Sequence, residues 1–449
     1  MSNPKNKLWQ KAYQLDAQIE AFTVGQDREL DLLLAPFDIL GSLAHGKMLS
    51  EVGLLDPAEY EQLAVVLKQL YQTAVDGTFV IADGVEDVHS QVELLLTEQL
   101  GDVGKKIHSG RSRNDQVLVD LRLYFRTEVA ALVRSIGELS ALLLEKSNQY
   151  QDVLLPGYTH LQVAMVSSFG LWFGAYAESL VDDLHLWQAT HRIIDQNPLG
   201  SAAGYGSSFP LNRQRTTDLL GFRELAYNVV HAQMGRGKTE LNLSFALAGT
   251  AQTIGKLAMD VCLYNSQNFG FLKLPNELTT GSSIMPHKKN PDVFELLRGR
   301  SNQLLSLPAQ VSQLVGNLPS GYHRDFQLLK EIILPAIQQM KDVLAIATYA
   351  IANLAVKDNL LDDEKYRLLY SVEAVNAAVL EGLPFRDAYR KIAADIEAST
   401  FDPPTRLNHT HEGSLGNLSN DKIKEKLDTV LAGFGFTHWE ERLAELRKV

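Results

Sequence analysis

Residues 115–150 read "DQVLVDLRLYFRTEVAALVRSIGELSALLLEKSNQY", and the spacing of their apolar side chains decides the fold class. Leu118, Leu121, Phe125, Val129, Leu132, Ile136, Leu139 and Leu143 step by three or four, forming one continuous stripe of helical period. Val119, Leu123, Val133, Leu142 and Leu144 fall off that stripe, so the helix is apolar on more than one face. A helix of that kind is buried on several sides, by its own bundle and by neighbouring subunits.

Four further segments carry the same period, at approximately 161–195, 240–269, 291–317 and 327–354, and Pro308 predicts a kink in the fourth of the five. At about 1.5 Å per residue the five helices are each on the order of 40 to 50 Å long. Before Ser109 and after about Leu360 the helical stretches are shorter. The expected organisation is therefore a mainly α chain in three parts: an N-terminal helical domain over 1–109, a central long-helix bundle over 110–360 and a C-terminal helical domain over 361–449. No internal repeat is visible, and strand-like alternation is rare.

Composition excludes several classes. The 449 residues are 45% hydrophobic and 21% charged, as in a globular protein. With 42 Lys+Arg against 54 Asp+Glu the formal net charge is -12, which argues against a nucleic-acid or anionic-membrane surface. The N-terminal text "MSNPKNKLWQKAYQL" lacks the apolar core of a signal peptide, and no stretch approaches the roughly 20 apolar residues of a membrane span. A single cysteine, Cys262, sits in an apolar run and reads as a structural thiol in a reducing compartment. These features predict a cytoplasmic protein.

The polar, glycine-rich text collects at the joints between the long helices. "IHSGRSRNDQV" places Arg111, Arg113, Asn114, Asp115 and Gln116 at a helix start, where unpaired backbone N–H groups favour an anion, although Asn114 or Asp115 also serves simply as an N-cap. "PGYTHLQVA" offers Thr159 and His160 at what reads as the next helix start. "GSSIMPHKKNP" at 281–291 can bury almost nothing, and its lysines precede a helix start where the dipole disfavours cations. A bound carboxylate resolves that conflict.

Other motifs carry less. "GRGKT" at 235–239 resembles the end of a phosphate-binding loop, but Ala232 occupies the position of the required earlier glycine and no strand precedes it. "HTH" at 409–411 lacks a third ligand at metal-binding spacing. His45, His89, His185, His191 and His231 read individually as structural or surface histidines.

"GSSIMPHKKNP" resembles the signature of the superfamily that includes fumarase, aspartase, adenylosuccinate lyase and argininosuccinate lyase. "GRSRNDQV" at 110–117 and "PGYTHLQ" at 156–162 look like the argininosuccinate lyase versions of the shared regions. "DILGSLAH" at 38–45, "EDVHSQVE" at 86–93, "PLGS" at 198–201 and "YHRDFQLLK" at 322–330 agree. The resemblance covers most of residues 38–330 and is weaker at both ends.

What the resemblance implies is a three-domain lyase fold whose long helices assemble a homotetramer, with each active site built by loops from three subunits. It implies reversible cleavage of argininosuccinate to arginine and fumarate, with no metal or organic cofactor. Such a reaction creates an aci-carboxylate dianion, so it needs a base, a cluster of donors around the carboxylate, and an acid at the leaving nitrogen. Carried over residue by residue, Ser282 and His160 are the base and acid pair, assigned either way round within the family, with Ser282 favoured here as the base at the Cβ proton, while Lys288 and Asn290 hold the carboxylate and its extra charge. His160 transfers the proton at the leaving group and Glu295 orients it. Asn114, Thr159, Tyr322, Gln327 and Lys330 match substrate-binding positions, joined by Arg113 and Ser112 as carboxylate contacts.

The chain departs from that pattern in several places. "LWQKAYQL" stands where the family has a GGRF segment, and Asp27 in "VGQDREL" replaces a serine that helps bind substrate. His323 and Arg324 replace the usual Asn and Lys, "VAMVSS" follows the catalytic histidine in place of an alanine-glutamine-proline ending, and His287 matches the adenylosuccinate branch. Adenylosuccinate lyase is the alternative enzyme, although no phosphate-binding cluster of basic and serine residues is identifiable. A catalytically silent, crystallin-like relative is the non-enzyme alternative, opposed by the joint presence of His160, Ser282, Lys288 and Glu295.

Overall fold

The computed structural model describes residues 16–404 and 407–448, so the "LWQKAYQL" departure lies outside the described residues. The predicted stripe folds as a 37-residue helix, Arg113–Gln149. Its N-cap is Ser112, one turn before the predicted start. The Ser112 hydroxyl oxygen accepts from Asn114 N–H at 3.3 Å and Asp115 accepts from Ser112 N–H at 2.8 Å, a reciprocal capping box. The second Asp115 oxygen accepts from Gly200 and Ala202 N–H at 2.9 and 3.0 Å, tying the helix start to the "PLGS" turn.

This helix is apolar on two faces because it lies between two cores. Leu121, Phe125, Val129 and Leu132 face a large core shared with the helices Phe169–Ile194, Val229–Asn265 and Leu328–Ala352. Val119, Leu123 and Ala130 face a second core, formed by the helices Ala35–Glu51, Pro57–Val75 and Val88–Leu100. The off-stripe residues Val119, Leu123, Val133 and Leu144 are thus buried inside the one chain, not left for a neighbouring subunit to cover.

Trp439, Leu443 and Leu446 of the final helix, Phe436–Lys448, complete the second core, far from their neighbours in sequence. Arg126, fully buried, fastens that helix. Its guanidinium lies 4.5 Å from the Phe222 ring and 4.6 Å from the Trp439 ring, and it donates to Asp195 and to the Leu220 and Gly221 carbonyls. A small third cluster joins Val375, Ala378 and Ala388.

The segment predicted to begin a helix at 161 does not. Leu154–Thr159 and Gln162–Ser168 pair as an antiparallel hairpin, and the helix starts only at Phe169. Thr159 pairs with Gln162, leaving His160 and Leu161 as a two-residue turn with φ of 55° and 57°. Both residues occupy the left-handed region, the geometry whose twist matches the flanking strands. The third segment begins earlier than expected, at Val229, and breaks at Arg236 and Gly237, where the backbone leaves helical angles. The fourth divides into Asp292–Leu304 and Leu307–Val315, with Pro308 in the first turn of the second piece, as its ring geometry favours. Among the described residues no helix is long and apolar enough to cross a membrane.

Candidate active site

The long helices bring sequence-distant polar segments to one cleft of about 120 Å³. Arg113 and Asn114 enter from the start of the Arg113–Gln149 helix. Tyr322, Gln327 and Lys330 come from the 322–330 segment, and Asp27 and Asp31 from a short helix, Asp27–Asp31. Five of the expected substrate-binding residues therefore share one site. Ser112 lines an adjoining cleft of about 500 Å³ together with Arg113 and Asn114.

The cleft wall is held by ion pairs. Arg113 donates to Glu86 at 3.0 Å and to Ser90 at 2.9 Å and lies 3.2 Å from Asp87, while Arg324 donates to Glu86 at 2.7 Å. Burial would raise the Glu86 carboxyl, but the two guanidinium groups outweigh it and hold Glu86 below the usual range. Lys330 Nζ stands 2.6 Å from Asp27 and 2.6 Å from Asp31. Burial pushes the Asp27 carboxyl up to about 6, against the opposing pull of Lys330.

Residues to which sequence reading gave no part in the site complete this wall. His89 Nδ1 lies 2.7 Å from Asp38 and 3.4 Å from Asp120, all three buried. Burial would lower the imidazole, yet the hydrogen bond and charge of Asp38, joined by Asp120 and Asp87, push it up to about 10. His89 is thus an imidazolium at neutral pH, the cation of a buried ion triad. Arg236 comes from the rejected "GRGKT" text; it pairs with Glu240 at 3.1 Å and lines the cleft. The signal for it was the pair of glycines, which let the helix break there.

The remaining expected residues do not line this cleft. Thr159 and His160 sit at the exposed tip of the hairpin. The 281–291 segment is itself a small hairpin, with Thr280 paired to Asn290 and Gly281 to Lys289. Within it, Ser282 Oγ accepts from Ile284 and Met285 N–H at 3.3 and 3.0 Å, and Lys288 is exposed with no ion pair among the described residues. Glu295, on the exposed side of the Asp292–Leu304 helix, makes no contact with His160 in the one chain. The single subunit thus presents three separate pieces: a charged cleft, a histidine-tipped hairpin and a serine-lysine loop. Cys262 is half-buried and burial pushes its thiol up, in keeping with a structural role.

Comparison with known proteins places these pieces in context. The profile of the lyase family matches residues 4–305. The argininosuccinate lyase of Parabacteroides distasonis is 59% identical over 442 residues, covering 98% of this chain and 98% of that one. That of Bacteroides thetaiotaomicron is 59% identical over 435 residues, covering 97% and 98%. That of Stenotrophomonas maltophilia is 39% identical over 409 residues, covering 91% and 93%. Among solved structures, an EDDS lyase in complex with formate superimposes with a TM-score of 0.76 at 21% identity, covering 97% and 95% of the two chains. A class II fumarase from Schistosoma mansoni gives 0.68 at 17% identity, covering 92% and 94%. At these identities the solved structures speak for the fold alone, whereas the curated relatives match nearly end to end, and on that ground the chain belongs to the argininosuccinate lyase family of the fumarase/aspartase superfamily.

Proposed function

We propose that this chain cleaves argininosuccinate reversibly to arginine and fumarate, in the cytoplasm, as a homotetramer whose active sites draw on three subunits. The observation that carries the reading is the convergence of Arg113 and Asn114 with Tyr322, Arg324, Gln327 and Lys330 on one charged cleft, in a chain 59% identical to argininosuccinate lyases over nearly its whole length.

Ser282 takes the Cβ proton. A free hydroxyl is far too weak a base, but two backbone N–H groups already point at its oxygen and favour the form that carries negative charge. Lys288 and Asn290 receive the carboxylate whose charge grows as that proton leaves. His160 protonates the departing guanidino nitrogen, oriented by Glu295 from another chain. Arg113, Asn114, Ser112, Thr159, Tyr322, Gln327 and Lys330 position the substrate. No metal or organic cofactor is needed for these steps.

Assembly is supported by surface apolar residues along the bundle. Phe245 and Met259 lie on one exposed side of the Val229–Asn265 helix, 49% and 46% exposed, and Ile346 and Tyr349 are exposed on the Leu328–Ala352 helix. Clustered apolar surface of this kind marks a docking face on a soluble chain. Packing second copies there also supplies the hairpin and the serine-lysine loop that one cleft lacks.

The test is fumarate absorbance with argininosuccinate and adenylosuccinate side by side. Fumarate from argininosuccinate alone is expected. Release from adenylosuccinate alone, or from neither, overturns the reading.

A further inference from the structure

A second cleft, of about 470 Å³, lies between the Ala35–Glu51 and Pro57–Val75 helices, a helix over Arg213–Leu220 and the final helix, and it shares no lining residue with the charged cleft. Its Lys47 stands about 14 Å along the Ala35–Glu51 helix from Asp38. Phe222 and Leu446, both buried, give this cleft an apolar wall, and Tyr60, only 5% exposed, lines it from within the second core.

Two donors here lack an acceptor. The Tyr60 hydroxyl is buried with no hydrogen-bond partner among the described residues. Lys47, half-buried, holds its ammonium 5.2 Å from the centre of the Tyr60 ring and has no acid partner among the described residues. The arginines are matched. Arg215 donates to both Glu51 oxygens at 2.8 and 3.0 Å, and Arg442 donates to Glu445 at 3.1 Å. Asp218, the remaining acid, is exposed and accepts from Gln214 at 2.9 Å. Leaving a buried hydroxyl and a half-buried ammonium without an acceptor is costly, and the contact of the ammonium with the ring offsets only part of that cost.

A carboxylate supplies the missing acceptor. It takes the Tyr60 O–H and the Lys47 ammonium without breaking any ion pair already present, and charge-assisted bonds of that kind are the strong ones. One uncompensated positive charge beside Tyr60 matches a monoanion, while Asp218 and Glu445 in the same lining oppose a second negative charge such as phosphate carries. The volume lies within the range of roughly 300 to 1,000 Å³ that small-molecule pockets occupy. We propose that this cleft binds a small monocarboxylate with an apolar body, the carboxylate held by Lys47 and the Tyr60 hydroxyl and the body laid against Phe222 and Leu446.

Calorimetric titration of the full-length protein tests this with phenylacetate and hexanoate, each beside its neutral amide, phenylacetamide or hexanamide, and with inorganic phosphate. At least one acid should bind once per chain with a dissociation constant of about 1 mM or below, and its amide at least about tenfold more weakly. Lys47→Met should abolish that preference for the acid with the circular dichroism spectrum unchanged. Tyr60→Phe keeps the ring and removes only the hydroxyl, so it should weaken the acid by about three- to tenfold. In the wild type alone, the proposal is overturned by binding of neither acid, by equal binding of acid and amide, or by phosphate binding more tightly than both acids. A preference for the acid that persists in Lys47→Met also overturns it, since the carboxylate then sits elsewhere. So does an affinity left untouched in Tyr60→Phe.

Discussion

His89 Nδ1 lies 2.7 Å from Asp38 Oδ1, both residues buried. Asp120, fully buried behind them, has its own carboxyl raised well above the usual range, burial first and the charge of Asp38 second. The imidazolium touches both acids, and it fixes the Val88–Leu100 helix against two others. Its folded value of about 10 stands above the value near 6.5 of an imidazole in water. A raised folded value means that the stabilisation is fully present below about pH 6.5 and is lost as pH climbs through about 10. His89→Gln should therefore cost about 3–5 kcal/mol at pH 7, the range for one member removed from a buried ion pair. The gap between the two proteins should narrow toward pH 10. Urea denaturation of both, from pH 6.5 to 10.5, checks it; a constant gap means a neutral ring.

Ser282→Ala should leave the fold alone and nearly abolish turnover. The loop around it is exposed and packs little, so stability should move by no more than about 0.5 kcal/mol. Turnover should drop far more than tenfold, and a residual rate above about a tenth of wild type, a barrier change under about 1.4 kcal/mol, would show that another group takes the proton. Circular dichroism melts and fumarate absorbance supply the two measurements.

Lys288→Met separates ground-state binding from transition-state stabilisation. The exposed ammonium has no protein partner among the described residues, so its loss leaves no buried acid behind. The extra carboxylate charge exists only along the reaction path, and kcat should fall while KM changes little. A change confined to KM refutes the assigned role.

Shared sites can be tested by mixing two dead proteins. His160→Asn and Ser282→Ala should each be inactive, and unfolding and refolding them together should restore part of the activity. Hybrid oligomers contain some sites with His160 and Ser282 both intact only if different chains supply them. Hybrids confirmed by mass with no activity show that both residues come from one chain.

The long helices were legible because their apolar spacing is local. Leu118 to Leu143 announce a helix without help from the rest of the chain, and Pro308 marks the break between Leu304 and Leu307 by ring geometry alone. The hairpin at 154–168 was not legible, because its turn residues are His160 and Leu161 and neither type favours a positive φ. No glycine or asparagine flags the reversal, so the text read as a helix start. The second face of the Arg113–Gln149 helix was visible as a pattern, but its partner was not: Trp439 covers that region from more than 300 residues away. His89 looked ordinary for a similar reason, since Asp38 and Asp120 approach it only through the fold. The signature loop and the 322–330 segment were recognisable as chemistry because their polar residues are consecutive. Asp27, Glu86 and Arg236 gain meaning only from the ion pairs they form across the cleft.

The clasp between Arg126 and Trp439 dictates an order of events during synthesis. The Ala35–Glu51 helix and its partners leave the ribosome early, yet part of the surface they must cover is made much later. At about 5–20 residues per second, the stretch from Phe222 to Trp439, about 217 residues, takes on the order of 10 to 45 s to make. Throughout that interval Leu220, Phe222 and the Arg126 guanidinium have no tryptophan to close over them. Until the helix that carries Trp439 has been made and packed, a nascent chain exposes an apolar seam with a buried-type guanidinium in it.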